Sequence, residues 1–182
     1  MEVIVIKNSI SKLIDGKDLS INESKEVMEI IMDGDATQAQ IGSFITALRF
    51  KGETANEIAG MASIMRQKSV SVKINTSVLD TCGTGGDGAN TLNISTATAL
   101  LVSSTGITVA KHGNRAMSGS TGSADVLEAM GANIQLDANN VESCLQKIGF
   151  GFMFAQMFHP SMKYAAAPRK EIGIRTVFNL LG

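Results

Sequence analysis

A glycine-rich loop at residues 83–88 carries the residue types best suited to chemistry. It reads Gly83-Thr84-Gly85-Gly86-Asp87-Gly88 and follows a short apolar run, Ser77 to Asp80, that is typical of a buried strand. Glycines let backbone N–H groups approach a ligand without Cβ clashes, and the start of the helix expected at Ser95 attracts anions. The loop therefore predicts a phosphate-bearing ligand at the carboxyl end of a strand.

The same loop matches the dinucleotide fingerprint G-x-G-x-x-G literally, but its surroundings contradict that interpretation. The helix of the fingerprint starts within the glycines, whereas here residues 89–92 intervene. The next expected strand, Thr108 to Lys111, is followed by His112 and not by the acidic residue that would hold a ribose. Asp87 would repel phosphate unless it binds a sugar hydroxyl, an amine or a metal. The predicted ligand therefore carries phosphate, sugar and a divalent cation.

A second loop, Lys111-His112-Gly113-Asn114-Arg115, is expected at the same edge of the sheet. His112 is either a general acid or base, or an N–H donor that orients a substrate. The stretch 118–123 adds hydroxyl and N–H groups at another helix start. Asp125 and Glu128, which follow it, are interpreted as complementing the helix dipole.

Composition excludes several classes of function. The formal net charge of −1 gives no electrostatic reason to expect nucleic acid or an anionic membrane as a partner. No apolar run reaches the roughly 18 residues of a spanning helix, and the first residues do not resemble a signal peptide. Cys82 and Cys144 lack metal-ligand spacing, which suits a reducing cytoplasm, and Cys82 is expected to be a small packed residue, not a nucleophile.

Residues 1 to about 70 predict a small helical bundle. Three sequences typical of a capping box begin at Ser20, Thr37 and Thr54, and each precedes apolar residues at helical spacing. A further helix is expected near Ile6 to Ile14. Strand-like alternation is absent from this part of the sequence.

From Lys73 onward, short apolar runs alternate with helical patterns, which predicts a mostly parallel α/β sheet. A helix over Met162 to Ala167 is expected to end at Pro168. The predicted strands are Ser77–Asp80, Thr108–Lys111, Ala132–Gln135 and Phe150–Phe154. The predicted helices are one after Ser95 with hydroxyl caps, Ser123–Met130, and Asn139–Ile148 with Asp137 as N-cap.

Several stretches resemble the anthranilate phosphoribosyltransferase family of tryptophan biosynthesis, in the family's order and over nearly the whole chain. The stretches are Gly83-Thr84-Gly85-Gly86-Asp87, Asn93-Ile94-Ser95-Thr96, Lys111-His112-Gly113-Asn114-Arg115-Ala116, Ser123-Ala124-Asp125-Val126-Leu127-Glu128, Phe152-Met153-Phe154-Ala155, His159-Pro160-Ser161-Met162-Lys163 and Arg175-Thr176-Val177-Phe178-Asn179-Leu180-Leu181-Gly182. Pyrimidine nucleoside phosphorylases share the architecture and a similar Lys-His-Gly loop, but their glycine loop differs.

The resemblance implies Mg²⁺-dependent transfer of phosphoribose from phosphoribosyl diphosphate to the amine of anthranilate, in a cytoplasmic homodimer that pairs through the helical domain. It implies that His112 and Lys111 take part in catalysis and that Ser95 touches the metal. Asn114 and Arg169 would bind anthranilate. The residues implied to hold phosphoribosyl diphosphate are Gly83, Gly86, Asp87, Thr91, Asn93, Ile94, Ser95, Thr96, Lys111 and Ser123.

The expected fold is an α/β architecture like that of the nucleoside phosphorylases and phosphoribosyltransferases: a helical domain over 1–70 and the first part of an α/β domain over 73–182. One alternative returns the segment after about residue 160 to the helical domain. The family carries an adjacent Asp-Glu pair for Mg²⁺ in its later half, and no adjacent carboxylates follow Asp87 here. The 182 residues alone are therefore expected to be inactive. The open alternatives are a pyrimidine nucleoside phosphorylase-like enzyme and an inactive phosphosugar-binding fragment.

Overall fold

The computed structural model describes residues 2–82, 92–116 and 121–181, with the side chains described from residue 4 onward. These residues belong to two compact units. A helical unit contains Met1–Ser69 and His159–Gly182, and an α/β unit contains Val70–Phe158. The helical unit is therefore assembled from two separate segments of the chain.

The helical unit begins with four helices and receives three short ones from the later segment. The first four are α1 Glu2–Ile14, α2 Ile21–Asp33, α3 Gln38–Lys51 and α4 Ala55–Gln67. The later segment adds a 3-10 helix at Pro160–Met162, α9 Lys163–Ile172 and α10 Val177–Leu181.

The three predicted capping boxes are confirmed. At the start of α2, the Ser20 hydroxyl accepts from the Glu23 N–H at 3.2 Å, and the Glu23 carboxylate accepts from the Ser20 N–H at 2.7 Å. Thr37 and Thr54 make the same reciprocal pair at α3 and α4. Each box satisfies two N–H groups that a helix start otherwise leaves without a partner.

The core of the helical unit consists of apolar side chains that the helical spacing had placed on one face. From α3 these are Ile41, Phe44, Ile45 and Leu48, all of which are at most 1% exposed. Val177 and Phe178 of the later segment belong to the same buried cluster. Burial of such side chains is the main stabilising contribution to a helical bundle of this size.

The prediction that Pro168 ends a helix is wrong, because α9 continues through it to Ile172. A proline inside a helix removes one backbone hydrogen bond and crowds the preceding turn. Here Pro168 is buried three positions after Ala165, which is also buried and belongs to the core of the helical unit. This packing offsets the lost hydrogen bond.

Among the described residues, the α/β unit contains two parallel strands, two helices that lie between them in the chain, and one further helix on either side. The strands are β1 Val109–Gly113 and β2 Phe150–Phe154, with Lys111 opposite Phe152. The helices are α5 Ile94–Ser104, α6 Ser123–Ala129, α7 Ala138–Ile148 and α8 Ala155–Phe158. The parallel α/β architecture and the Asp137 cap of α7 are confirmed.

Three of the predicted strand assignments need correction. The run Ser77–Asp80 forms a single bridge, between Leu79 and Val109, instead of a strand. The run Ala132–Gln135 is not a strand: its Ala132 N–H bonds back to the Leu127 carbonyl of α6, and its Gln135 N–H bonds to the Asn133 side chain. β1 extends to Gly113, so Lys111 and His112 lie in a strand and not in a loop.

Within the described ranges, none of the helices combines the length and the apolar character needed to cross a bilayer.

Candidate functional site

Lys111 is the central charged residue of the candidate site. It lies in β1 and is 1% exposed. Its ammonium donates to the Thr81 carbonyl and lies 3.4 Å from the Ser95 hydroxyl. Burial lowers the pKa of Lys111, while the negative charge of Asp80 opposes that change. A buried ammonium therefore joins the residues just before the glycine loop to the first turn of α5.

The start of α5 is held by Asn93 and not by the predicted hydroxyl caps. The Asn93 carboxamide oxygen accepts from the Thr96 N–H at 3.2 Å and from the Thr96 hydroxyl at 2.7 Å. The Ser95 hydroxyl lies 3.4 Å from the same oxygen. Since Asn93 provides the cap, the Ser95 hydroxyl remains beside Lys111, while the Ile94 side chain is exposed.

Sequence reasoning missed Thr81 as a member of this site. Its carbonyl accepts from Lys111, and its hydroxyl donates to the Ser95 carbonyl at 2.7 Å. Thr81 therefore ties the end of the Leu79 segment to α5. The available signal was a hydroxyl residue two positions before a glycine-rich loop.

His112 lies at the carboxyl end of β1, beside Asp80. Its backbone N–H donates to the Asp80 carboxylate at 3.4 Å. Burial lowers the pKa of the His112 imidazole; Asp80 opposes this effect, and the charge of Lys111 adds to it. The imidazole is therefore neutral at pH 7, with one protonated and one unprotonated ring nitrogen.

Asn114 and Ser123 come together where β1 ends and α6 begins. The Asn114 carbonyl accepts from the Ala124 N–H at 3.1 Å and from the Ser123 hydroxyl at 3.3 Å. Gly113 permits this approach, because a Cβ atom there would collide with the Ser123 hydroxyl and the Phe152 ring. The structure thus brings two predicted binding residues to the end of β1.

Arg115 is engaged by the acidic residues of α6. Its guanidinium donates to Asp125 at 3.1 Å and to both oxygens of Glu128 at 2.7 and 3.0 Å. These carboxylates raise the pKa of Arg115. Asp125 and Glu128 therefore serve as ion-pair partners in addition to the dipole role that the sequence predicted.

The remaining predicted residues divide into two groups. Gly83, Gly86, Asp87 and Thr91 lie outside the described residues. Arg169 lies on α9 in the helical unit, with its guanidinium carbon 5.2 Å from the centre of the Phe178 ring. Burial lowers the pKa of Arg169.

The described residues contain no group of three or more His, Cys, Asp or Glu side chains placed to bind one metal ion. The Ser95 hydroxyl is an oxygen ligand of the kind that Mg²⁺ accepts, and its contacts with Asn93 and Lys111 are long, at 3.4 Å each. One hydroxyl fits a Mg²⁺ ion that takes its other ligands from a diphosphate and water.

Two family matches cover most of the chain. Residues 75–182 match the family described as "Glycosyl transferase family, a/b domain", and residues 7–69 match "Glycosyl transferase family, helical bundle domain". Together, the matched ranges include nearly all of the elements of both units.

Individual relatives are similar over the same extent. The anthranilate phosphoribosyltransferase of Acetivibrio thermocellus is 59% identical over 179 residues, which are 98% of this chain and 52% of that protein. The crystal structure of the Thermus thermophilus anthranilate phosphoribosyltransferase has 43% identity and a TM-score of 0.88, over 96% of this chain and 53% of that one. The Saccharomyces cerevisiae enzyme in complex with PRPP and Mg has 30% identity and a TM-score of 0.88, over 97% and 53%. The chain spans about half the length of these relatives.

Proposed function

Since the chain belongs to the glycosyl transferase family, we propose that it serves the reaction of an anthranilate phosphoribosyltransferase. In that reaction, phosphoribose passes from phosphoribosyl diphosphate to the amine of anthranilate, and diphosphate leaves. The observation that carries the proposal is the buried Lys111 ammonium beside the Ser95 hydroxyl, in the first turn of the helix that follows the glycine-rich loop. A desolvated cation two residues before the carboxyl end of a parallel strand suits an anionic ligand.

Residues of β1 and of the first turns of α5 and α6 supply what the departing diphosphate requires. Negative charge develops on the leaving oxygen, and fixed cations and N–H groups stabilise it better than mobile water does. Lys111 offers the cation, while Ser95 and Ser123 offer hydroxyl groups. A bound Mg²⁺ would neutralise further charge on the diphosphate, with Ser95 as one of its ligands.

His112 and Asn114 are assigned to the acceptor amine. The neutral imidazole of His112 orients or deprotonates the amine, since the lowered pKa keeps one ring nitrogen unprotonated at pH 7. Arg169 is assigned to the anthranilate carboxylate, because a guanidinium binds a planar carboxylate through two parallel hydrogen bonds. The glycine-loop residues Gly83, Gly86, Asp87 and Thr91 complete the proposed diphosphate site.

The two domains predicted from the sequence are assigned separate roles. We propose that residues 1 to about 70 mediate homodimerisation and that residues from 73 onward bind the ligands. Cytoplasmic tryptophan biosynthesis fits two free cysteines, Cys82 and Cys144. The chain spans about half the length of its relatives. Ligand binding is therefore a more direct test of the binding role than turnover.

Replacing Ser95 with alanine is expected to weaken Mg²⁺-dependent binding of phosphoribosyl diphosphate by about tenfold, since a metal contact and a hydroxyl are both lost. Isothermal titration of the 182-residue chain with phosphoribosyl diphosphate, with and without Mg²⁺, measures the effect. Ser103→Ala is the matched control, because Ser103 lies on the same helix and donates to the Gly149 carbonyl instead.

Saturable binding that strengthens with Mg²⁺ in the wild type and in Ser103→Ala would support the proposal. Binding of thymidine or uridine in place of phosphoribosyl diphosphate would favour a pyrimidine nucleoside phosphorylase-like function. Absence of binding to any of these ligands would contradict both.

Charge on the exposed apolar surface of the helical unit is expected to separate the proposed dimer. Phe50 on α3 is 91% exposed and Ile4 on α1 is 61% exposed, and exposed apolar surface is where subunits can associate. Phe50→Asp should yield a monomer in sedimentation velocity at concentrations where the wild type is a dimer. Ile148→Asp, at a 68% exposed position of the α/β unit, is the control and should remain dimeric. A monomeric wild type would refute the assignment.

A further inference from the structure

The backbone at residues 114–116 lies against the backbone at Gly122. A Cβ atom on Gly122 would lie 2.6 Å from the Asn114 carbonyl oxygen and would also collide with the main chain of Arg115 and Ala116. Only glycine leaves room for this approach. The two sides of the connection between β1 and α6 are therefore in direct contact.

One carboxylate bonds to both sides of this connection. Oδ2 of Asp125 accepts from the Ala116 N–H at 2.9 Å and from the Gly122 N–H at 2.8 Å. Its other oxygen, Oδ1, accepts from the Arg115 guanidinium at 3.1 Å. The two N–H groups are the largest cause of the lowered pKa of Asp125, so the group is charged at neutral pH and its hydrogen bonds are charge-assisted.

Arg115 connects the Asp125 carboxylate to Glu128 of α6 and to Phe154 of β2. Its guanidinium binds both oxygens of Glu128 and lies 5.8 Å from the centre of the Phe154 ring of β2. The planar fork of arginine makes this bidentate geometry rigid. Asp125, which lies on α6, is therefore also bound by an arginine that packs near β2.

We propose that Asp125 is a positioning residue for the ligand site at the end of β1. It does not touch the ligand. By joining Ala116 to Gly122, it keeps the Asn114 carbonyl within reach of the Ser123 hydroxyl, so that both residues face the ligand together. The proposal rests on the proposed function in assigning Asn114 and Ser123 to substrate binding.

The test compares Asp125→Ala with Asp137→Ala in the 182-residue chain. Asp137 caps α7 of the same unit by accepting from the Asn140 N–H at 2.9 Å, so its loss also removes a helix-start carboxylate. We expect Asp125→Ala to raise the dissociation constant for phosphoribosyl diphosphate by about tenfold or more, whereas Asp137→Ala leaves it within about twofold. Asp125→Asn retains an acceptor oxygen and should give an intermediate constant.

Amide hydrogen exchange without ligand gives a readout that does not depend on the proposed function. Exchange at Ala116, Gly122 and Ala124 should accelerate by about tenfold or more in Asp125→Ala and remain unchanged in Asp137→Ala. If wild type fails to bind phosphoribosyl diphosphate, the proposed function falls, and exchange alone then decides whether Asp125 holds the connection. Unchanged exchange in Asp125→Ala, or equal loss of affinity in the Asp125 and Asp137 variants, would overturn the proposal.

Discussion

Replacing Lys111 with methionine is expected to weaken phosphoribosyl diphosphate binding by about 10- to 150-fold, the equivalent of a lost charged hydrogen bond of about 1.5–3 kcal/mol. Methionine has a similar length, so it keeps most of the packing of this 1% exposed side chain while it removes the charge. The ammonium also donates to Thr81, and its loss leaves that carbonyl without this donor. Isothermal titration measures the affinity.

Lys147→Met is the control for charge alone, since Lys147 lies in the last turn of α7 in the same unit. It should bind the ligand like the wild type. The pH dependence adds an independent check: because burial lowers the pKa of Lys111, wild-type affinity should fall with rising pH below the ordinary lysine value of 10.5. Equal affinities for the Lys111 and Lys147 variants would remove Lys111 from the site.

Glu57→Ala is expected to lower the free energy of unfolding of the helical unit by about 3–5 kcal/mol, the usual cost of removing one partner of a buried ion pair. Glu57 is fully buried, and its carboxylate accepts from the Leu19 N–H at 2.9 Å, the Thr54 N–H at 2.7 Å and the Lys51 ammonium at 3.0 Å. Alanine leaves the two N–H groups without these acceptors. Urea unfolding followed by circular dichroism measures the loss.

Glu23→Ala is the matched control, because Glu23 has the same position in the capping box of α2 but a side chain that is 38% exposed. Its loss should cost about 1 kcal/mol or less, as for exposed ion pairs. A similar loss in both variants would mean that burying Glu57 with its partners Leu19, Lys51 and Thr54 adds nothing to the free energy of unfolding.

The Glu57 network also gives a pH dependence. Burial alone would raise the pKa of Glu57, but the hydrogen bonds from Leu19, Thr54 and Lys51 lower it below its ordinary value of 4.5. A lowered pKa in the folded state means that this stabilisation is present above pH 4.5 and is lost as the pH falls through the folded-state pKa. Acidification should therefore reduce wild-type stability more than that of Glu57→Ala.

Sequence reasoning succeeded where the determinant is local. A capping box is a four-residue pattern whose two hydrogen bonds form within one turn, so Ser20, Thr37 and Thr54 marked three helix starts correctly. The Asp137 cap followed for the same reason. The burial of α3 positions at helical spacing likewise needs only the period of the helix.

Sequence reasoning failed where residues far apart in the chain decide the outcome. Pro168 remains helical because it packs with the core of the helical unit, and a single-residue rule carries no information about that packing. The segment Ala132–Gln135 has a strand-like composition, but a strand needs a pairing partner elsewhere in the chain, and the hydrogen bonds of this segment are local, to Leu127 of α6 and to Asn133. Thr81 and Asp80 approach Lys111 and His112 through the Leu79–Val109 bridge, which joins residues 30 positions apart.

The division of the helical unit between two segments has a consequence for synthesis on the ribosome. Val177 and Phe178 belong to its core and lie in the later segment, His159–Gly182. The 89 residues from Val70 to Phe158 are translated before that segment. At about 5–20 residues per second, the first four helices wait roughly 5–20 seconds before that part of their core is complete. During this interval, the apolar side chains that Val177 and Phe178 later cover stay exposed in the nascent chain. The yield of folded protein should therefore depend on translation speed across the α/β unit.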